Sequence, residues 1–342
     1  MPTKIGKYTT RLDTSPSLVS FASVVSKKEG EGPLAPYFDM ICDDTSFGEQ
    51  TWEKAESRMQ KDAVSKALQK ANLSSSNIDY IFAGDLLNQC ISSSYGLRDL
   101  GVPFFGLYGA CSTMAESLSL ASLFVEASLC NNAVAVTSSH FCSAERQFRF
   151  PLEYGGSRAP TSQWTVTGSG AAVVGKQVSP PYVKHVCVGT IEDMGIKDIN
   201  NMGAAMAPAA AATLSRFFED TVTGPDNYDL VLTGDLGQVG SQLLDELLER
   251  EGYTLGKKHN DCGLMIYDRE TQDVAAGGSG CGCSASVLCS YICQAIQAGR
   301  LRDVLFVATG ALMSTTSVQQ GESIPGIAHL IHLSSTPHKG GK

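Results

Sequence analysis

The sequence has no run of lysine and arginine, and its 26 basic side chains are outnumbered by 35 acidic ones, a net charge of −9. Phosphate backbones need a clustered basic face, so nucleic acid is excluded as a partner. A polybasic membrane patch is excluded on the same ground. The eleven cysteines contain no Cys-x-x-Cys pair and no His/Cys metal spacing, and Cys281-Gly282-Cys283 is too tight for a zinc half-site. This usage predicts free thiols in a reducing compartment. Cys130, Cys187, Cys289 and Cys293, in apolar or small-residue surroundings, read as core thiols. No apolar stretch reaches bilayer length, and the N-terminus lacks the charged-then-apolar pattern of a secretory signal. The expectation is a protein of the cytoplasm, or one docked on something there. What the chain does have is 43% hydrophobic and 18% charged residues over 342 positions, enough for two halves of ordinary domain size.

The pattern centres on Gly109-Ala110-Cys111-Ser112-Thr113-Met114. Residues 102–108 form an apolar run that predicts a buried strand, and 114–127 read as a helix. At such a turn, free backbone N–H groups and the positive helix end can lower a thiol's pKa or hold an anion. The other reading is a buried structural thiol. Ala115, Ser117, Ser119, Ala121 and Ser122 predict close packing behind this helix. Before it, residues 1–16 read as loosely held, 17–25 as a strand and 27–44 as a surface loop. Trp52, Ala55, Met59, Ala63 and Ala67 recur at helical spacing within 51–71. Residues 78–84 form a strand ending at Asp85, and a short helix spans 94–100. After it, 133–138 is a strand with His140 just beyond, and 165–174 is another.

The order then repeats. Residues 78–86 are echoed by 228–236, and the helix at 51–71 by 202–220. Residues 262–267 stand where the strand before Cys111 stood, 278–298 form a second small-residue helix, and 304–309 mirror 133–138. Five matches in one order predict a duplicated half, not a short-period solenoid. Strands alternating with helices place ligands at the strands' carboxyl ends. Just past those ends stand Asp85 with Asn88, Cys111, His140, Asp235 and Ser279, candidates for one shared site. Asp85 and Asp235 offer hard oxygens for calcium, or cap the segments that follow them.

The pattern resembles the thiolase and ketoacyl-synthase superfamily over about residues 17–333. The turn at 109–112 carries this, with Thr167-Gly168-Ser169-Gly170-Ala171-Ala172-Val173 and the helix start at 279–286. Within that superfamily four motifs are similar to the stage V sporulation protein AD family, across nearly the whole chain. They are Ala83-Gly84-Asp85-Leu86-Leu87-Asn88-Gln89, Ala144-Glu145-Arg146-Gln147-Phe148-Arg149-Phe150-Pro151, residues 258–267 and Glu322-Ser323-Ile324-Pro325. The resemblance implies an α/β fold of two similar halves in an α-β-α-β-α layered sandwich, divided here as 1–180 and 181–342. It also implies binding of dipicolinic acid, and its calcium chelate, during uptake into the developing spore. Membrane proteins of the same sporulation complex would hold the chain peripherally at the cytoplasmic face of the spore inner membrane. Superfamily enzymes dimerise through the strand after the active cysteine, here around 133–138, so a homodimer is a further expectation.

One departure from the enzymes bears on chemistry. A condensing cysteine needs a histidine after the strand that here ends Thr233-Gly234-Asp235-Leu236, and a His or Asn before the second buried helix. Here the first position offers Gly or Asp, and the second stretch is Gly278-Ser279-Gly280-Cys281-Gly282. The resemblance therefore implies a retained pocket without acyl condensation, with no cofactor. A planar dicarboxylate suits a bidentate guanidinium from Arg146 or Arg149. His329, in the C-terminal strand, is a further ligand-binding candidate, and His259 reads as structural. The rival expectation is an acyl-condensing or acyl-transfer enzyme using Cys111 with His140 or His329. A third is a scaffold with a vestigial pocket.

Overall fold

A computed structural model describes residues 1–149 and 158–338; Phe150 and Pro151 of the second motif lie outside them. Ten strands build the body: β1 (Ser17–Ser26), β2 (Tyr80–Gly84), β3 (Phe104–Gly106), β4 (Asn132–Ser139), β5 (Gly168–Gly175), β6 (Tyr182–Cys187), β7 (Leu230–Thr233), β8 (His259–Asp261), β9 (Asp303–Ala311) and β10 (Gly326–Ser334). The spatial order is β8-β7-β9-β10-β6-β1-β5-β4-β2-β3. Read outward from the centre, each group of five runs in the same order, so the duplicated sequence folds into a duplicated sheet. Tyr182 pairs with Ser17 where the two groups meet.

Helix α1 (Trp52–Lys70) starts at Thr51, whose side chain accepts from Lys54 N, and buries Ala55, Met59, Ala63 and Ala67 as its spacing predicts. With residues of β1, β2, β4 and β5 it forms one outer core cluster. Helices α2 (Thr113–Glu126) and α5 (Cys281–Val287, continued to Gln297) supply the central cluster, which takes residues from both groups of strands. Helices α3 (Met202–Thr221) and α4 (Gly237–Arg250) lie in the other outer cluster. The result is the α-β-α-β-α sandwich. Small residues let the central helices approach closely: a Cβ on Gly282 of α5 would lie 2.2 Å from the Gly168 carbonyl oxygen of β5.

Five expectations need correction. Residues 1–16 are tied down: Thr9–Arg11 pairs with β6, and Asp220 accepts from Tyr8 N and Thr9 N at 3.0 and 2.8 Å. Residues 27–44 are not all surface loop, since Met40–Cys42 pairs parallel with β1, and fully buried Glu29 accepts from Thr167 N and Tyr267. The apolar run at 102–108 holds only three strand residues, all exposed, because β3 is the sheet's edge; Phe105 covers one face by stacking on Phe82 at 5.1 Å. Residues 262–265 are a helical turn rather than a strand, because Asp261 caps it by accepting from Gly263 N. The strand at 133–138 is interior, with β2 and β5 on its two sides, so it has no free edge to offer a second copy.

Candidate functional site around Cys111

Cys111 sits in a tightly bonded turn. Ala110 adopts φ +50°, Ser112 Oγ donates to Gly109 O at 2.6 Å, and Thr113 Oγ1 donates to Ala110 O at 2.6 Å. Gly310, near the end of β9, backs this turn; a Cβ there would lie 2.3 Å from Gly109 O. The first half's cysteine is thus seated on the second half's sheet, as a pseudo-two-fold arrangement requires.

The Cys111 thiol lies beside Asp235, which is fully buried just past the end of β7. The same carboxylate accepts from Gly280 N at 2.8 Å, Ser279 Oγ at 3.0 Å and Thr309 Oγ1 at 2.9 Å. Burial pushes Asp235 up to about 6, against the pull of these donors. Burial also drives the Cys111 thiol well above its ordinary value; the Asp235 charge adds to that, and Arg149 only partly opposes it. A protonated thiol facing an acceptor carboxylate is a poor nucleophile.

Arg149 closes the site from above. Its guanidinium donates to Ser279 Oγ at 2.5 Å and to Gln163 O, and lies 3.5 Å from Glu145. Arg158 pairs with the same Glu145 at 3.5 Å, and Gln163 Nε2 donates to Asp235 O and Gly278 O at 2.6 and 2.9 Å. A polar chain therefore runs Arg158, Glu145, Arg149, Ser279, Asp235 and ends beside Cys111. Beside it lies a cavity of about 20 Å³ lined by Arg149, Arg158, Gln163 and Met202, space for about one water.

The structure therefore brings Cys111, Asp235, Ser279 and, of the two arginine candidates, Arg149 together. It places the other candidates elsewhere. Asp85 caps its own segment, accepting from Leu87 N at 2.9 Å and from Ser93 N and Oγ at 2.8 and 2.6 Å. Its neighbour Glu56 accepts from Ser138 and Ser143, and burial together with the Asp85 charge raises it far above the usual carboxylate range. Among the described residues no group of three or more His, Cys, Asp or Glu side chains is disposed to hold a metal ion.

Asn88 is exposed, its N–H on Gln147. Arg146 is exposed and paired with Glu53. His140 caps the helix Phe141–Gln147: its Nδ1 accepts from Cys142 N, so Nε2 donates to Thr45 O at 2.9 Å, and the ring packs on Trp52. His329 is buried opposite Ala308 and accepts from Gly189 N at 3.3 Å.

Sequence reasoning missed Thr309, Gln163 and Glu145. The duplication held a signal for the first: Thr309 stands in its strand where Ser138 stands in the mirrored one, and each hydroxyl serves a buried carboxylate. Glu145 lies four residues before Arg149, a spacing that pairs charges on a helix.

Desolvation alone pushes the His329 imidazole down to about 4. An unfolded imidazole takes up a proton near 6.5, whereas the folded one resists until about 4. Its contribution to stability is therefore complete above 6.5 and is lost as the pH falls between these values. Replacing it with glutamine, which keeps an acceptor for Gly189, should improve relative stability by up to about 3 kcal/mol between pH 7 and pH 4. Urea unfolding at several pH values checks this; a pH-independent difference would mean a solution-like imidazole.

Comparisons with known proteins agree with this architecture. Residues 6–334 match the family model described as Stage V sporulation protein AD (SpoVAD). The Stage V sporulation protein AD of Bacillus subtilis (strain 168) is 47% identical over 310 residues, 91% of each chain. Among solved structures, 3-oxoacyl-[acyl-carrier-protein] synthase III from Aquifex aeolicus VF5 matches with TM-score 0.57 and 14% identity, covering 94% of this chain and 100% of that one. Cerulenin-bound OleA from Xanthomonas campestris matches with TM-score 0.60 and 14% identity, covering 94% and 96%. The two enzymes share the thiolase-like fold, and the chain itself belongs to the stage V sporulation protein AD family.

Proposed function

We propose that this sporulation protein is a non-catalytic member of the thiolase fold that binds dipicolinic acid, free or as its calcium chelate, for uptake into the developing spore. One observation carries the reading: where a condensing enzyme needs a base, Cys111 meets the Asp235 carboxylate, and the buried guanidinium of Arg149 stands one hydroxyl away. A carboxylate cannot stabilise a thiolate beside it, so the site lacks an activated nucleophile. The Arg149 guanidinium, paired with Glu145 at 3.5 Å, spends its shorter bonds on two neutral acceptors, the Gln163 carbonyl and the Ser279 hydroxyl, and can exchange these two for a ligand carboxylate. The 20 Å³ cavity does not admit a pyridine ring, so binding requires Arg149 to leave those acceptors.

Asp235 and Asp85 have their oxygens engaged with protein donors, which favours a calcium that arrives already chelated. The reading further places the chain peripherally at the cytoplasmic face of the spore inner membrane, held by membrane proteins of the same sporulation complex. No described helix is long and apolar enough to cross a bilayer.

Calorimetric titration with dipicolinate, with and without calcium, tests the proposal on the intact protein and on Arg149→Lys and Cys111→Ala. Saturable binding, weakened about tenfold or more by Arg149→Lys through loss of one bidentate contact, is the expected result. No binding by the intact protein overturns it, and acylation of Cys111 by an acyl-thioester would put the enzyme reading in its place.

A further inference from the structure

A second cleft of about 480 Å³ opens at the other end of the second half's sheet. Asp303, the first residue of β9, lines it, while Thr309 of the same strand touches the Cys111 site. Six residues of strand separate the two by about 20 Å. The volume lies within the range of small-molecule sites.

Its walls carry three imidazoles from two segments. His185 of β6 and His332 of β10 are parallel, with centroids 5.2 Å apart, and His338 meets His185 edge-on at 5.0 Å. Their hydrogen bonds assign the protons. His332 Nε2 faces Asp303 Oδ1 at 2.9 Å and donates to it, so its Nδ1 accepts from His185 Nδ1 at 2.9 Å. His338 Nε2 faces the Lys184 carbonyl at 3.2 Å and donates to it. This leaves His185 Nε2 and His338 Nδ1 as bare acceptors, with no partner among the described residues.

The surrounding charges balance. Arg11 and Lys184 line the cleft as cations, and Asp220 and Asp303 as anions. Both anions are engaged: Asp303 by His332 and Lys184, and Asp220 by the N–H groups of Tyr8 and Thr9. Arg11 spends only its Nε, on Asp13, so its terminal nitrogens are uncommitted. Tyr228 completes the titratable lining, bonded to Thr223. With neutral imidazoles the cleft therefore has terminal Arg11 N–H groups with no acceptor and imidazole nitrogens with no donor among the described residues. An oxyanion accepts from the free Arg11 nitrogens, and a proton on one bare imidazole nitrogen turns an acceptor into a donor for it.

We propose that this cleft is a second binding site, specific for a small oxyanion of two or more negative charges, and that the anion binds together with a proton. In the empty cleft, burial and the neighbouring His332, His338, Lys184 and Arg11 push His185 down to about 3. The proton is thus absent at neutral pH and arrives with the anion. Linkage then makes affinity rise about tenfold for each unit the pH is lowered, for one proton taken up. The site is independent of the reading given for Cys111.

Titration calorimetry of the intact chain with citrate, and separately with inorganic phosphate, tests this at pH 7.5 and 5.5. Two buffers of different ionisation enthalpy report the protons taken up. Expected are saturable binding of at least one probe, uptake of up to about one proton per anion at pH 7.5, and about tenfold tightening per pH unit when affinity is referred to the probe form that is ionised at pH 7.5. His185→Gln should weaken binding tenfold or more, and so should Arg11→Gln, a surface change that does not threaten folding. Citrate without phosphate would identify a polycarboxylate ligand, and phosphate without citrate a phosphorylated one. No saturable binding at pH 5.5, binding without proton uptake at pH 7.5, or binding that survives both variants overturns the proposal. Loss of the same binding in Arg149→Lys would place the anion at Cys111 and overturn it too.

Discussion

Asp235→Ala is expected to destabilise the protein by about 3 kcal/mol or more at pH 7, because several buried donors lose their acceptor at once. Gly280 N–H and Ser279 Oγ, from the turn before α5, and Thr309 Oγ1, from β9, all point at this carboxylate. The two hydroxyls can rotate toward other acceptors, but the backbone N–H cannot. Asp235→Asn should fall between wild type and alanine, since one amide oxygen still accepts while the NH₂ group meets donors. The alanine cost should be larger at pH 4 than at pH 7. Asp235 titrates at about 6 when folded, above an unfolded aspartate, so its protonation favours the folded state most strongly at low pH. Urea midpoints with unchanged slope measure both effects. A loss below about 1 kcal/mol would mean that water enters and replaces the carboxylate.

The second large effect lies where β5 passes α5. A Cβ on Gly170 would sit 2.2 Å from the Ala285 carbonyl oxygen, and one on Gly282 would sit 2.2 Å from the Gly168 oxygen. In both cases the obstacle is backbone, which yields only if the helix shifts. Gly282→Val is expected to cost about 3 kcal/mol or more, at the upper end of overpacking penalties. Gly170→Ala and Gly282→Ala should each destabilise, and the double variant should cost less than their sum, because one displacement of the helix relieves both clashes. Thermal or urea unfolding of the two single variants and the double reads the coupling directly. Strict additivity would mean that each clash is absorbed locally.

Several of these features are legible in the sequence. The duplication was written in paired segments, Asp85 with Asp235 and 133–138 with 304–309, because both copies keep the strand and helix periods their environments demand. The turn at Cys111 was legible because an apolar strand, a small-residue bend and a helix follow one another within a few positions. The absence of His or Asn near Asp235 and Ser279 could likewise be read from the chain alone.

Other features were decided by contacts between distant residues. Nothing local separates Asp85 from Asp235: both end mirrored strands after a glycine. One is satisfied by its own next turn, while the other reaches Gly280 and Thr309 because Asp261 takes over the capping of Leu236 and Gly237. Arg146 and Arg149 are three residues apart in one short stretch, and only the packing against Gln163 and Ser279 buries the second.

The sequence by itself determined the elements, their repeat and the chemistry missing around Cys111, since periodicity and residue type are local properties. The tertiary structure alone decided which apolar strand became an exposed edge, which carboxylate met the thiol, and that His185, His332 and His338 face one cleft. Those outcomes depend on burial and on pairing across more than a hundred residues, where the free energy of a group is set by what surrounds it.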